Sequence, residues 1–207
     1  MAQQLGFDIE SLIDEATLAA AGPWEGAPLF YTAQYHTPAE LEEAFERYVL
    51  ENGRFGCYVE SHMWRPAIAR RPLSVASHEL HVLNASTHCP YDDHDHEDLT
   101  QLGGAQANCP ACRWHAIDHD ESTVIEAWHD HAMPGWRDLP TIPAGLSAKR
   151  QQTWLQENYP PDWQFVGAPV LTLRSPNCTR HVDGRSPFGG YDLCIGTATE
   201  DDSPAMS

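Results

Sequence analysis

Cys109-Pro110-Ala111-Cys112 follows Cys89 after nineteen intervening residues and leads into a histidine-studded helical segment that ends near His131. Two thiolates on one tight turn present two soft donors, and Zn²⁺ takes four such donors in a tetrahedron. The turn therefore predicts an α+β fold, a small antiparallel sheet with several short helices stabilised by a zinc-binding turn. At 207 residues the chain is expected to form a single domain. Within 1–207 we distinguish an N-terminal arm at 1–30, a zinc-binding module at 85–140 and a frayed acidic tail at 200–207.

Cys109 and Cys112 are the primary ligand candidates. Cys89 is the third, since a loop of this length is common between the halves of small zinc modules. For the fourth, His88, Asp92, His94, His115, His129 and His131 all stand close enough in sequence. Helix geometry narrows the choice. Residues two apart on a helix point about 200° apart, so His129 and His131 cannot both face one ion. His131 shares a stripe with Val124 and Trp128 and is the expected ligand, with His115 next. Four protein donors close the site and make the metal a folding element; three would leave a position for activated water.

Working outward, Asp118 and Glu121 suggest a capping box that starts the histidine-bearing helix, which must stop before Pro134-Gly135. Upstream, Thr37, Pro38 and Glu40 form a better-marked helix start. Leu41, Ala44, Phe45 and Tyr48 give that helix a buried stripe, and Asn52-Gly53 ends it. A shorter helix spans 9–21, with Leu12, Ile13, Ala16 and Ala20 on its apolar side, and stops at Gly22-Pro23. Phe55 to Trp64 and Glu79 to Asn84 read as strands, the latter through the alternation of Leu80 and Val82. Thr87 to Asp98 reads as a polar loop, Leu139 to Gly145 as a connector, Ser147 to Asn158 as a polar helix and Val170 to Arg174 as a strand.

Several constellations imitate catalytic motifs. His78-Glu79-Leu80-His81 is one residue short of the zinc-protease pattern, which needs histidines four apart on a helix. On a strand, positions three apart project to opposite faces, so these two rings are not expected to converge. His94-Asp95-His96-Glu97-Asp98 resembles the His-x-His-x-Asp core of the metallo-β-lactamase family, but Leu99 stands where that motif continues with histidine. A solvated acidic loop is the expectation there. Gly184 to Tyr191 lacks the Gly-Lys-Ser/Thr ending of a phosphate loop, and Cys57, Cys178 and Cys194 lack the spacing of a second zinc turn.

Bulk composition excludes further classes. The formal net charge is −18, and Lys149 is the only lysine. Such a charge opposes nonspecific binding to nucleic acid or to an anionic membrane. It keeps a protein soluble, and in a sharper reading an acidic face imitates DNA and occupies a DNA-binding partner. No apolar run approaches the roughly 18 residues of a membrane span, and the first residues lack the features of a signal peptide. A cytoplasmic protein with reduced thiols is expected.

The segments Cys109 to Cys112 with Trp114, His131-Ala-Met-Pro-Gly-Trp136-Arg-Asp-Leu-Pro140, Trp163 through Pro169 and Arg185 to Tyr191 together resemble an uncharacterised family of actinobacterial and actinophage proteins. The resemblance spans roughly residues 109 to 192 and implies a phage or mobile-element setting. The expectation is a zinc-stabilised acidic binding or accessory protein that acts by contact with a protein partner, as a DNA mimic or anti-defence factor. The rival is a metal-dependent hydrolase using the His/Asp-rich 78–98 region.

Overall fold

A computed structural model describes residues 9–53, 60–67, 73–88, 99, 101–143, 145–165, 167–174 and 193–197. Helix α1 (Ile9–Ala21) ends where expected, with Gly22 at φ 69. Ile13, Ala16 and Ala20 of its apolar side are exposed. The helix meets α2 (Pro38–Asn52), and just beyond its C-terminal end Arg47 Nη2 donates to the Gly22 carbonyl at 3.0 Å.

Helix α2 starts as its sequence dictates. Glu40 N–H donates to Thr37 Oγ1 at 3.2 Å while Thr37 N–H donates to Glu40 Oε2 at 2.7 Å, so two of the orphan donors of the first turn are satisfied reciprocally. Gly53 at φ 81 closes the other end. Leu41, Ala44 and Phe45 are buried, joining Ala27, Met63, Trp64 and Leu83 in one apolar cluster.

Strands β1 (Arg65–Pro66), β2 (Leu73–Val75), β3 (His78–Asn84), β4 (Ala105–Cys109) and β5 (Trp114–Asp118) build an antiparallel sheet. β1 and β2 share one edge of β3, β4 takes the other, and β5 lies outside β4. The expected strand at 79–84 is present, with Leu80 and Val82 buried. The expected strand over Phe55 to Trp64 is not formed in its described part. His62, Met63 and Trp64 are irregular and buried, and strand pairing begins only at Arg65; residues 54–59 lie outside the described residues.

The small-residue strand Ala105-Gln-Ala-Asn-Cys109 is buried at every position, which its composition conceals: it contains no β-branched or aromatic residue. Gly103 precedes it. A Cβ there would lie 2.5 Å from the Asp118 carbonyl carbon and oxygen, so the backbone of β5 approaches too closely for any side chain.

Helix α3 (Glu121–Ala132) starts later than the capping-box reading placed it. Asp120 is the N-cap, and Asp118 is held as the last residue of β5 opposite Ala105, its Oδ1 accepting from Asp120 N–H at 3.1 Å. Sheet pairing thus overrides the local signal. Helix α4 (Ala148–Asn158) follows Ser147. β6 (Leu171–Arg174) pairs in parallel with β7 (Leu193–Thr197), an addition to the antiparallel sheet that the sequence reading did not contain.

Because successive strand residues alternate between faces, β4 divides the core. Ala105, Ala107 and Cys109 join Leu80 and Val82 beneath Val124, Ile125 and Trp128 of α3. Gln106 and Asn108 face the other way, toward the side on which α2 and the connection 22–37 lie.

Candidate metal centre

Cys109 is the last residue of β4 and Trp114 the first of β5, and the two are paired across the sheet. The chain turns between them through a single 3₁₀ turn, Pro110–Cys112, with Arg113 in the left-handed region at φ 52. Proline presets the first residue of that turn. Cys112 therefore folds back beside Cys109. Cys109 is buried and Cys112 exposed, and both are free thiols.

The β3–β4 register supplies the third group. His81 lies opposite Asn108, so extending the antiparallel register places His78 opposite the turn that links the two cysteines. His78 Nδ1 is 3.3 Å from Cys112 Sγ and 3.9 Å from Cys109 Sγ. Helix α3 supplies the fourth, His131, three residues beyond the buried Trp128 and on the same helix face.

One donor atom from each of His78, Cys109, Cys112 and His131 lies within 4.8 Å of all the others. A tetrahedral ion with about 2.3 Å bonds to sulfur and about 2.0–2.1 Å bonds to nitrogen needs donor–donor edges of roughly 3.3–3.8 Å. The closure required is therefore about 1.5 Å at most, within the reach of side-chain torsions. The four residues fit a metal ion.

Three further observations agree. His131 Nε2 is buried and has no hydrogen-bond partner among the described residues, a costly state for an imidazole nitrogen that a ligand relieves. Trp114 stacks on the His131 ring at 4.7 Å and 2° between planes, while His78 meets the same ring edge-on at 4.9 Å and 87°. Trp128 Nε1–H donates to the Glu79 carbonyl at 3.0 Å, tying the helix that carries His131 to the strand that carries His78.

Electrostatics point the same way. Burial, and then the adjacent His78, hold His131 below the ordinary imidazole range, in the neutral form that ligates. Desolvation, and then the neighbouring Cys109, push the Cys112 thiol up. Two thiolates side by side repel each other; a divalent cation between them reverses that balance and deprotonates a coordinating thiol.

The other candidates are placed elsewhere. His129 is fully buried between Trp128 and Trp136, donates from Nδ1 to the Ile125 carbonyl at 2.7 Å, and is lowered by burial to about 4. It faces away from His131, as two-residue helical spacing requires. His115 points to the opposite face of the sheet, with Nε2 at 3.1 Å from the Ala33 carbonyl. His88 is exposed and outside the group. Cys89, Asp92 and His94, together with the rest of 89–98, lie outside the described residues, as do Cys57 and Cys178.

His78 is the member of this group that sequence reasoning did not place there. Its separation from His81 was read correctly: the two project to opposite faces, and His81 Nε2 instead approaches Glu79 Oε2 at 3.3 Å. The missing signal was long-range register, available only once Ala105–Cys109 is recognised as a strand.

Among the described residues no helix is long and apolar enough to cross a membrane. No curated protein and no solved structure matches the chain. The family of unknown function DUF6349 matches residues 26–203, a longer stretch than the segments from Cys109 onward that first suggested a family, and the chain belongs to it.

Proposed function

We propose that the chain is a zinc-stabilised acidic accessory protein of a phage or mobile element, acting by contact with a protein partner. One observation carries this reading: the His78, Cys109, Cys112 and His131 donors come from β3, the β4–β5 hairpin and α3 and suffice for a complete tetrahedron. A tetrahedron filled by protein atoms has no position for an activated water, so its metal supplies folding energy rather than chemistry. Zinc is the ion of choice because two thiolates and two imidazoles are its preferred mixed donor set.

The contact surface is acidic. Helix α2 exposes Glu42, Glu43 and Glu46 together on a chain of net charge −18, which suits a basic, DNA-binding partner and the DNA-mimic form of the hypothesis. Association of that kind weakens steeply with salt.

Metal analysis on protein purified without added metal tests the reading. One zinc per chain, lost together with thermal stability in Cys109→Ser and in His131→Ala, is the expected result. Two or more ions per chain, or metal retained in both variants, would overturn it and favour a hydrolytic centre in the 78–98 region.

A further inference from the structure

The two sulfurs of the metal centre differ in reach. Cys112 is exposed, whereas Cys109 is buried in the core cluster beneath α3. An oxidant arriving from solvent therefore meets Cys112 first. Ligation requires the thiolate form, which is also the form that attacks a peroxide.

The pair is placed to join. Cys109 is the N-cap and Cys112 the last residue of the 3₁₀ turn that opens on Pro110. The ends of such a turn have Cα atoms less than about 7 Å apart, and a disulfide takes about 4.4–6.8 Å. The two Sγ atoms lie within 4.8 Å of each other. A bridge between them thus calls for side-chain rotation rather than for unpairing β4 from β5.

The other two donors make the consequence large. His78 comes from β3 and His131 from α3, and with the sulfurs committed to each other only these two imidazoles remain of the four donors. Half a tetrahedron does not hold zinc tightly, and His131 Nε2 returns to a buried state without a partner among the described residues. The ties from the hairpin to β3 and to α3 are then lost together, while the sheet ladder and the Trp128 bond to the Glu79 carbonyl stay in place.

We propose that Cys109 and Cys112 form a thiol–disulfide switch that responds to peroxide by releasing the metal, an inference that rests on the zinc reading above. The step balances. The Cys112 thiolate attacks one peroxide oxygen, the O–O bond breaks and hydroxide leaves, giving the Cys112 sulfenic acid. The Cys109 thiolate then attacks the Cys112 sulfur; the S–S bond forms, the S–O bond breaks and a second hydroxide leaves. Two thiolates have lost two electrons, the peroxide has gained them, and two solvent protons complete two waters.

The test uses the full zinc-loaded chain, with hydrogen peroxide as oxidant, a chromogenic chelator to count zinc and peptide mass mapping to locate the bond. Zinc content before peroxide tests the metal reading by itself, and its absence there overturns both readings. The expected result is loss of about one zinc per chain in step with a Cys109–Cys112 bridge. The melting temperature should fall toward that of the chelated chain, and dithiothreitol with zinc should restore it. Cys89→Ser should respond as the native chain does. Cys112→His keeps four donors without the exposed thiol and should hold its zinc through the same exposure; if it does not load, the native-chain measurement decides. Zinc retained by the native chain after peroxide overturns the switch alone. So does sulfinic acid at Cys112 without a bond to Cys109, a bridge from either residue to Cys89, or zinc lost from loaded Cys112→His at the native rate.

Discussion

On one face of β4, Cys109 sits among donors that converge on a single point; on the other, Gln106 and Asn108 carry buried polar atoms with no shared target inside the described chain. The backbone is the same five residues, and the alternation of side chains separates two environments by one position. On the Cys109 face, groups that would repel or stay unsatisfied alone stand where one cation could reconcile them. On the face beneath the connection 22–37 the orphaned atoms belong to amides, a phenol and an imidazole, and no set of ligating donors converges there among the described residues. The difference teaches that buried polar atoms have to be read as sets: four ligating donors within reach of one point fit a metal, whereas scattered amide and ring atoms do not.

The comparison breaks most visibly if the metal is removed. A structural zinc is worth about 10–16 kcal/mol in isolated zinc modules, so chelation, or His78→Ala, should cost several kcal/mol and lower the melting temperature by about 10 °C or more, read by calorimetry with and without zinc. Gln106→Leu, on the opposite face of β4, should leave metal content untouched. His78→Ala retaining full metal and stability would remove β3 from the centre.

Next in size is Trp128→Ala. It empties a fully buried position on the metal face and leaves the Glu79 carbonyl without its donor. About 3–5 kcal/mol is expected from the aromatic deletion, with weaker metal retention because α3 is no longer tied to β3. Urea denaturation and a competitive chelator assay measure the two effects separately.

Gly103→Ala tests the entry to β4. Backbone at 2.5 Å from the new Cβ must move, and overpacking of this kind costs about 1–3 kcal/mol. The damage should appear as faster amide exchange in the segment around Tyr31, which is bonded to Gly103, before it reaches the hairpin.

The smallest effect is Thr37→Ala, expected to cost about 1 kcal/mol through the lost cap. Glu40 titrates below its ordinary value because the Thr37 backbone N–H and then its hydroxyl bond the carboxylate. A lowered folded pKa stabilises above the unfolded value of 4.5, and that contribution is lost as pH falls through the folded pKa. The gap between native and Thr37→Ala melting temperatures should therefore be constant at neutral pH and narrow in acid. A gap that widens in acid would contradict the box.

Local chemistry was the legible part. Thr37-Pro38-Ala39-Glu40, Gly22 and Gly53 all mark helix ends that short-range hydrogen bonds and φ preferences enforce. Cys109 and Cys112 were legible for the same reason, being four residues of one turn. His131 followed from helix periodicity, and the structure brings it to both cysteines. His78 was not legible, because its partner strand contains alanine and amides instead of the branched residues that announce strands. Asp118 misled for a related reason: its local capping signal is real, but pairing with Ala105 claims it for the sheet. The burial of Gln106 and Asn108 was not legible either, since nothing in their local sequence marks Ala105–Cys109 as an inner strand.

The spacing of the four donors also orders events during folding. Cys109 and Cys112 come from one short hairpin, whereas His78 lies 31 residues before Cys109 and His131 well beyond Cys112. Closing a loop of that size costs entropy that grows only with the logarithm of its length, and a metal held first by the hairpin would supply the incentive at each closure. The hairpin is thus the natural first captor. Zinc added before refolding should accelerate collapse of β3 and α3 onto the hairpin, while zinc added afterwards should find those two loops already closed or not at all.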